Sequence, residues 1–311
     1  MKGDKIATRE AYGKTLVELG ALHPDMVVMD ADLAGSTKTA EFRKVYPERF
    51  FNMGIAEQNL MGTAAGIALS GHLVFASSFA MFAAGRAFEI IRNAIGYTGA
   101  NVKVCATHAG LTVGEDGASH QAIEDVALMR TIPGMTVVNP ADAVSCATLL
   151  RQVADLQGPA YVRLGRAKVP VLYDEKEEIR LGKGHVLRPG KDVTVIASGI
   201  MVAESLQAAS QLEKEGIDVR LIDLHTIKPL DREIIVRAAK ETGRIVTAEE
   251  HSVIGGLGDA VASVLCEACP VRLKKVGVED CFGESGKPEE LKEKYGLTAA
   301  HVAACVREIC A

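Results

Sequence analysis

The sequence predicts an α/β protein built from two mostly parallel sheets, each in its own domain, the second smaller than the first. Three observations lead there. Short apolar runs of strand length alternate with helical patterns of roughly 10–15 residues, the rhythm of strand-helix-strand units. The chain has 311 residues, enough for two domains of about 150 residues each. The alternation lapses once, over residues 168–191, into charged sequence containing Pro and Gly, and then resumes. This sets a first domain over residues 1–170, a linker over 171–190 and a second domain over 191–311.

In the first half, residues 8–19 carry an amphipathic helical pattern and residues 26–30 read as a short strand. Ser36 or Thr37 is placed to cap a helix running to about residue 45. A helix starting at Glu57 follows, then a strand over 72–76, a long helix over 79–95 and a buried strand over 102–106. A helix over 121–131, a strand over 136–138, a helix over 141–152 and a strand over 160–164 complete the half. In the second half, strands are expected over 193–197, 218–222, 244–247 and 271–276. Helices are expected over 202–215, 231–241 and 257–266, with two more from about residues 288 and 298. Ligands of such sheets bind beyond the carboxyl ends of the strands, so polar residues that follow strands are the candidates for function.

Composition excludes several classes. The chain is 48% hydrophobic and 24% charged with a net charge of -5, which gives no basic stripe for nucleic acid. The amino terminus is polar, without the apolar core of a signal peptide, and no span has the length and apolarity of a transmembrane helix. A cytoplasmic protein is expected. Seven cysteines are scattered, mostly inside apolar patterns, which argues for reduced thiols acting as small hydrophobes. Cys266 and Cys269 have the C-x-x-C form but close a helix before Pro270 and lack a second pair at zinc spacing.

Over residues 51–85 nearly every side chain is apolar or small, Glu57 is the one carboxylate, and Lys and Arg are missing. The run after Glu57 is apolar on every face, the pattern of a helix buried all round. Glu57 then stands at the mouth of a core helix with no local partner, where burial disfavours its charged form and suits it to proton exchange with a ligand. A second reading is open: an acidic first residue answering the positive end of the helix dipole.

The loop over residues 107–121 follows a strand and packs His108 and His120, Glu115 and Asp116, and three glycines into fifteen residues. A metal site, a solvated turn and a polar pocket for a hydroxylated anion all remain open, though the two His lie twelve apart, without a shared helix face. Phe79 and Phe82 sit at i,i+3, as core packing or as a stacking surface for a flat heterocycle. Arg9, Ser36, Arg163 and Arg166 are candidates for anion contacts. The run Gly255-Gly256-Leu257-Gly258 reads as a tight turn, since it lacks the full phosphate-cradle pattern.

Taken together, Ala7-Thr8-Arg9-Glu10-Ala11-Tyr12-Gly13, Gly54-Ile55-Ala56-Glu57-Gln58-Asn59, Ser78-Phe79-Ala80-Met81-Phe82, Gly114-Glu115-Asp116-Gly117 and His225-Thr226-Ile227-Lys228-Pro229-Leu230-Asp231 resemble transketolase, in order and over essentially the whole chain. The likeness is to that family's thiamine diphosphate pyrimidine-binding domain followed by its smaller C-terminal domain. The amino-terminal diphosphate-binding domain, whose Gly-Asp-Gly motif carries the magnesium ligands, has no counterpart here. The resemblance therefore implies the second subunit of a split transketolase, moving a two-carbon ketol unit between sugar phosphates with thiamine diphosphate and Mg2+.

By the same resemblance, Glu57 would bond the ring nitrogen of the aminopyrimidine, and Phe79 and Phe82 would pack on the ring. Asp116 would bind a substrate hydroxyl, and His108 and His120 would line the substrate channel. Arg9, Ser36 and Arg166 would hold the sugar phosphate, and no metal ligand is expected on this chain. Gly85 stands where some transketolases have an aromatic residue. The isolated chain is expected to be inactive, and two copies of each subunit are expected to form a heterotetramer. The competing readings are the β subunit of a 2-oxo-acid dehydrogenase's decarboxylating component, the carboxy-terminal half of a deoxyxylulose-phosphate synthase, and a non-catalytic stabilising partner. Gly114-Glu115-Asp116-Gly117 and the Arg9, Ser36 and Arg166 set favour a sugar phosphate over a 2-oxo acid.

Overall fold

Residues 5–311 are described by the computed structural model; residues 1–4 of the polar amino-terminal stretch lie outside the described residues. The first half comprises β1 (Lys5–Ala7), α1 (Thr8–Leu22), β2 (Val27–Asp30), α2 (Ala34–Thr37), α3 (Ala40–Val45), β3 (Phe50–Asn52), α4 (Glu57–Leu69), β4 (Val74–Phe79), α5 (Phe88–Ile90), β5 (Val102–Thr107), α6 (Asp125–Arg130), β6 (Thr136–Val138), α7 (Ala143–Asp155), β7 (Ala160–Arg163) and β8 (Lys168–Pro170). The second comprises β9 (His185–Arg188), β10 (Val193–Ala197), α8 (Met201–Glu213), β11 (Val219–Asp223), β12 (Thr226–Lys228), α9 (Arg232–Thr242), β13 (Arg244–Ser252), α10 (Leu257–Ala268), β14 (Arg272–Val278), α11 (Pro288–Lys294) and α12 (Ala299–Cys310).

The larger sheet has seven strands in the order β12-β6-β7-β5-β4-β2-β3, and the smaller has five in the order β14-β13-β10-β11-β9. Both are parallel except at one edge, where β12 runs against β6 and β9 against β11. Every residue of β2, β4 and β5 is buried, as expected of central parallel strands covered on both faces. Tyr12, Phe42 and Phe75 are among the largest fully buried side chains of the core that α1 and α3 close over the larger sheet.

Several local expectations are corrected. A short strand, β1, precedes the first helix and pairs antiparallel with β8. Phe79 ends β4 rather than opening a helix, and the long helix expected over 79–95 is a succession of wide π-turns at Met81–Arg86 and Ile91–Gly96 around the single turn of α5. The helix expected to run to residue 45 is broken by Lys38, whose φ is 73°, and no side chain of Ser36 or Thr37 caps it. Helix α4 is not buried all round: Gln58, Asn59, Gly62, Gly66 and Leu69 are exposed. An all-apolar helix signals burial, but the sequence does not say whether its own chain does the covering.

The two halves meet through buried polar contacts. Arg163, at the end of β7, donates from Nε to both oxygens of Asp125 at 2.9 and 3.1 Å, and from Nη2 to the carbonyls of Ala122 and Glu250 at 3.1 and 2.9 Å. Its other terminal nitrogen lies 4.0 Å from the Glu250 carboxylate. Arg163, Asp125 and Glu250 are each at most 3% exposed. Burial pushes the Glu250 carboxyl up, and Arg163 opposes it. Arg163 is therefore spent on joining the halves and is not an anion contact, which corrects its candidacy. Glu250 also accepts the Thr112 amide at 2.7 Å, across Gly110, whose φ is 80° and where an added Cβ would lie 2.2 Å from the Glu250 carboxyl carbon.

The Gly255-Gly256-Leu257-Gly258 turn opens α10, whose Leu257 and Gly258 amides donate to the Glu249 carboxylate at 2.7 and 2.8 Å. A side chain of the protein itself fills the anion position there. Residues 168–191 are partly ordered into β8 and β9, and Tyr173 anchors the stretch between them by donating to Asp223 at 2.7 Å. Asp223 is fully buried, and burial pushes its carboxyl up to about 8 despite that bond. The cysteines of the structure are free thiols, with Cys266 exposed and Cys269 half-buried.

Replacing Arg163 with Met leaves the buried carboxylates of Asp125 and Glu250 without their cation, and stability measured by urea unfolding is expected to fall by about 3–5 kcal/mol. For Asp223, the folded state holds a proton that the unfolded chain has already released between 3.8, its ordinary value, and about 8. Stability is thus expected to decline as pH rises through that window. Asp223→Asn should flatten the decline in thermal midpoint; an unchanged pH profile would show that Asp223 is not its source.

Candidate active site

At the carboxyl edge of the larger sheet, neighbouring strands β2, β4 and β5 end at Asp30, Phe79 and Thr107. Asp30 is fully buried. Its carboxylate accepts from the Leu33 amide at 2.5 Å and from the hydroxyls of Thr37 and Thr39 at 2.7 and 2.9 Å. Those bonds fold residues 32–39 over the strand ends and present the Ser36 carbonyl to Arg9, which donates to it at 2.8 Å.

Among the described residues, three that are not glycine have positive φ: Asp32 at 64°, Lys38 at 73° and His108 at 57°. All three lie on this edge. Such backbone strain, about 1–3 kcal/mol each, survives only where the surroundings enforce it, and it concentrates at functional sites. His108 shows what enforces it. Its ring stacks on Phe79 with centroids 3.8 Å apart, Arg9 lies 3.1 Å from Nε2, and the Thr107 hydroxyl lies 2.9 Å from Nδ1. Because Arg9 can only donate, Nε2 accepts and the proton sits on Nδ1, bonded to Thr107. Burial first, then the charges of Arg9 and Arg166, pull the His108 pKa down to about 3.

The aromatic floor continues from Phe79 to Phe82, nearly parallel at 6.1 Å, and His120 meets Phe82 edge-on at 5.1 Å. Glu57, the first residue of α4, is 2% exposed. It is not partnerless: Arg86 donates to its Oε2 at 2.9 Å and lies over the Phe82 ring at 5.0 Å. That cation lies one residue beyond the stretch without Lys or Arg, so a reading confined to the stretch misses it; its i,i+4 relation to Phe82 is the available signal.

Arg166 donates to the Val113 carbonyl and lies 3.6 and 3.7 Å from the carboxylates of Glu115 and Asp116. Arg9 is close enough to Arg166 that, after burial, their mutual repulsion lowers its pKa. The Nε of Arg9 is buried with no partner among the described residues, a donor that an anionic ligand would satisfy. The structure thus brings Glu57, Phe79, Phe82, His108, His120, Arg9, Ser36, Arg166 and Asp116 into one connected surface. Ser36 enters through its carbonyl. Gly85 is exposed and adds no ring. Among the described residues, no group of three or more His, Cys, Asp or Glu is placed to hold a metal ion.

This surface offers an aromatic floor with a carboxylate for a flat nitrogen heterocycle, a pair of guanidiniums for an anion, and a carboxylate for hydroxyls. Because the folded chain keeps His108 neutral while the unfolded chain protonates it between 6.5 and about 3, this residue's contribution to stability is lost as pH falls through that range. Nitrogen NMR of the imidazole is expected to show the Nδ1-protonated ring unchanged from about pH 8 to about pH 4, and titration near the ordinary value would refute the assignment.

Family models match both halves: the pyrimidine-binding domain of transketolase over residues 4–171 and the transketolase C-terminal domain over residues 182–302. A Methanocaldococcus jannaschii protein described as a transketolase C-terminal section is 50% identical, over 96% of this chain and 95% of its own length. A 6-deoxy-6-sulfo-D-fructose transketolase subunit from a Clostridium species is 42% identical, over 97% of this chain and 94% of its own. A solved structure described as a split-gene transketolase, an inactive β4 tetramer, superposes with a TM-score of 0.92 at 58% identity over 98% of both chains. With both of its halves matched by the models of one family and its whole length shared with these relatives, the chain belongs to the transketolase family.

Proposed function

We propose that this chain is the C-terminal subunit of a split transketolase that transfers a two-carbon ketol unit between sugar phosphates, in the cytoplasm, together with a separate diphosphate-binding subunit. The observation that carries the reading is the continuity of the surface: a buried carboxylate and an aromatic floor adjoin a pair of guanidiniums that includes one unsatisfied donor. Transketolases use thiamine diphosphate, and the residues present fit its ring half: Phe79 and Phe82 supply a flat apolar floor beside Glu57. Bound there, the cofactor supplies the carbanion chemistry that side chains lack.

Glu57 would hold the ring nitrogen of the aminopyrimidine by a hydrogen bond, and its burial would keep water from competing for that bond. Phe79 and Phe82 would pack on the ring. Arg9 and Arg166 clamp the substrate phosphate, with Arg9 oriented by the Ser36 carbonyl and by His108. Asp116 accepts from a substrate hydroxyl. His108 and His120 line the approach, and His108, with both ring nitrogens bonded to Arg9 and Thr107, serves there as a fixed wall.

Mg2+ and the diphosphate half of the cofactor are assigned to the partner subunit. Dependence on the partner is supported by the inactivity of the related β4 tetramer and by the exposed apolar side chains on and beside α4: Ile55 at 79%, Leu69 at 60% and Tyr97 at 89%. Patches of that kind mark protein contacts, and two copies of each subunit would cover them.

The test is reconstitution with a diphosphate-binding subunit, thiamine diphosphate and Mg2+, following ketol transfer from a ketose phosphate. Activity is expected only with both subunits, and Glu57→Ala is expected to lower kcat at least about a hundredfold. Turnover by this chain alone would overturn the split assignment. Decarboxylation of a 2-oxo acid in its place would favour the dehydrogenase β-subunit reading, and full activity of Glu57→Ala would favour a stabilising partner.

A further inference from the structure

Arg86 makes two contacts at once. It is the last residue of the π-turn at Met81–Arg86, its guanidinium carbon stands 5.0 Å from the centre of the Phe82 ring, and its Nη1 donates to Glu57 at 2.9 Å. A planar, delocalised group with donors along its edge, lying on an aromatic ring and bonded to a carboxylate, makes the same pair of contacts that the reading above gives to an aminopyrimidine. The layering adds to this. The Glu57 side chain is 2% exposed and the Arg86 side chain 52%, so the guanidinium is the outer member and the carboxylate the inner one. A ring approaching Glu57 from solvent meets Arg86 first.

We infer that Arg86 is a built-in competitor of the cofactor's pyrimidine ring: it occupies the ring's place in the empty chain and gives it up when the ring binds. The inference rests on the cofactor reading above. Its physical logic is the cost of an unpaired buried carboxylate. Arg86 compensates Glu57 until the ring arrives and takes over that contact, so the buried carboxylate is never left unpaired. Part of the ring's binding free energy is then used to break the Arg86–Glu57 pair, so the chain holds the ring more weakly than the site alone would allow. The consequence is selectivity: the ring by itself is held weakly, and firm loading needs contacts made by the remainder of the cofactor.

The test is calorimetric titration of the full-length chain with the free aminopyrimidine alcohol that forms one half of thiamine. Arg86→Gln, with a thermal midpoint checked for an intact fold, is expected to bind it about three- to tenfold more tightly than the unaltered chain. Arg86→Lys, which keeps the charge but not the flat stacking group, is expected to fall between them. Arg86→Gln combined with Glu57→Gln is expected to lose the gain, because the contested carboxylate is gone. Equal or weaker binding by Arg86→Gln, with Glu57→Gln still weakening binding, overturns the competitor role and leaves the cofactor reading standing: Arg86 then stays beside Glu57 and orients it. Equal heats of dilution from every form, with no dependence on Glu57, would overturn the cofactor reading and the competitor role together.

Discussion

The ion network of Arg163, Asp125 and Glu250 is the interaction on which the rest of the molecule depends. Each member is nearly inaccessible to water, and each comes from a different stretch: the end of β7, the start of α6 and the end of β13. A buried charge is tolerable only with its partners in place, so the three positions must be met together or not at all. What they hold is the base of the 107–121 loop. Glu250 grips the Thr112 amide, and the next turns of that loop carry Glu115, Asp116 and His120. The second domain thus supports candidate site residues that this chain draws from the first.

The site itself is held in strained form. Asp30 spends its carboxylate on three donors of one loop, and His108 keeps a left-handed backbone because its ring is fixed between Phe79, Arg9 and Thr107. Holding groups in place before a ligand arrives lowers the entropic cost of binding and reaction. Arg9 illustrates the balance: two of its contacts are made inside the chain, and its Nε is left over for a ligand.

Much of the fold was legible because central parallel strands announce themselves as unbroken apolar runs. The strands at 136–138 and 193–197 were read with the boundaries they have. The failures have particular causes. Phe79 and Phe82 share a spacing that fits a helix, yet the first closes a strand, since three residues span a strand end and a turn as readily as a helical turn. Helix α4 reads as core because apolarity says nothing of which chain covers it. Arg163 looked like an anion ligand because its partners, Asp125 and Glu250, lie 38 and 87 positions away; no local pattern links them. Glu57, His108 and Asp116 stood out by contrast with their surroundings and by resemblance, whereas Arg86 was hidden by a boundary drawn one residue too early.

The short strand β12 belongs to the second half by sequence and to the first sheet by pairing, lying along β6 through Thr226 and Lys228. A growing polypeptide cannot finish that sheet when residue 163 leaves the ribosome; the β6 edge stays open until synthesis has passed Lys228. An uncovered edge strand invites pairing with other chains, and nascent domains are most vulnerable in such intervals. The order of translation thus builds into this protein a waiting period during which the first half must be kept from its neighbours, and it makes the two halves inseparable as products of a gene even where they are distinct as folds.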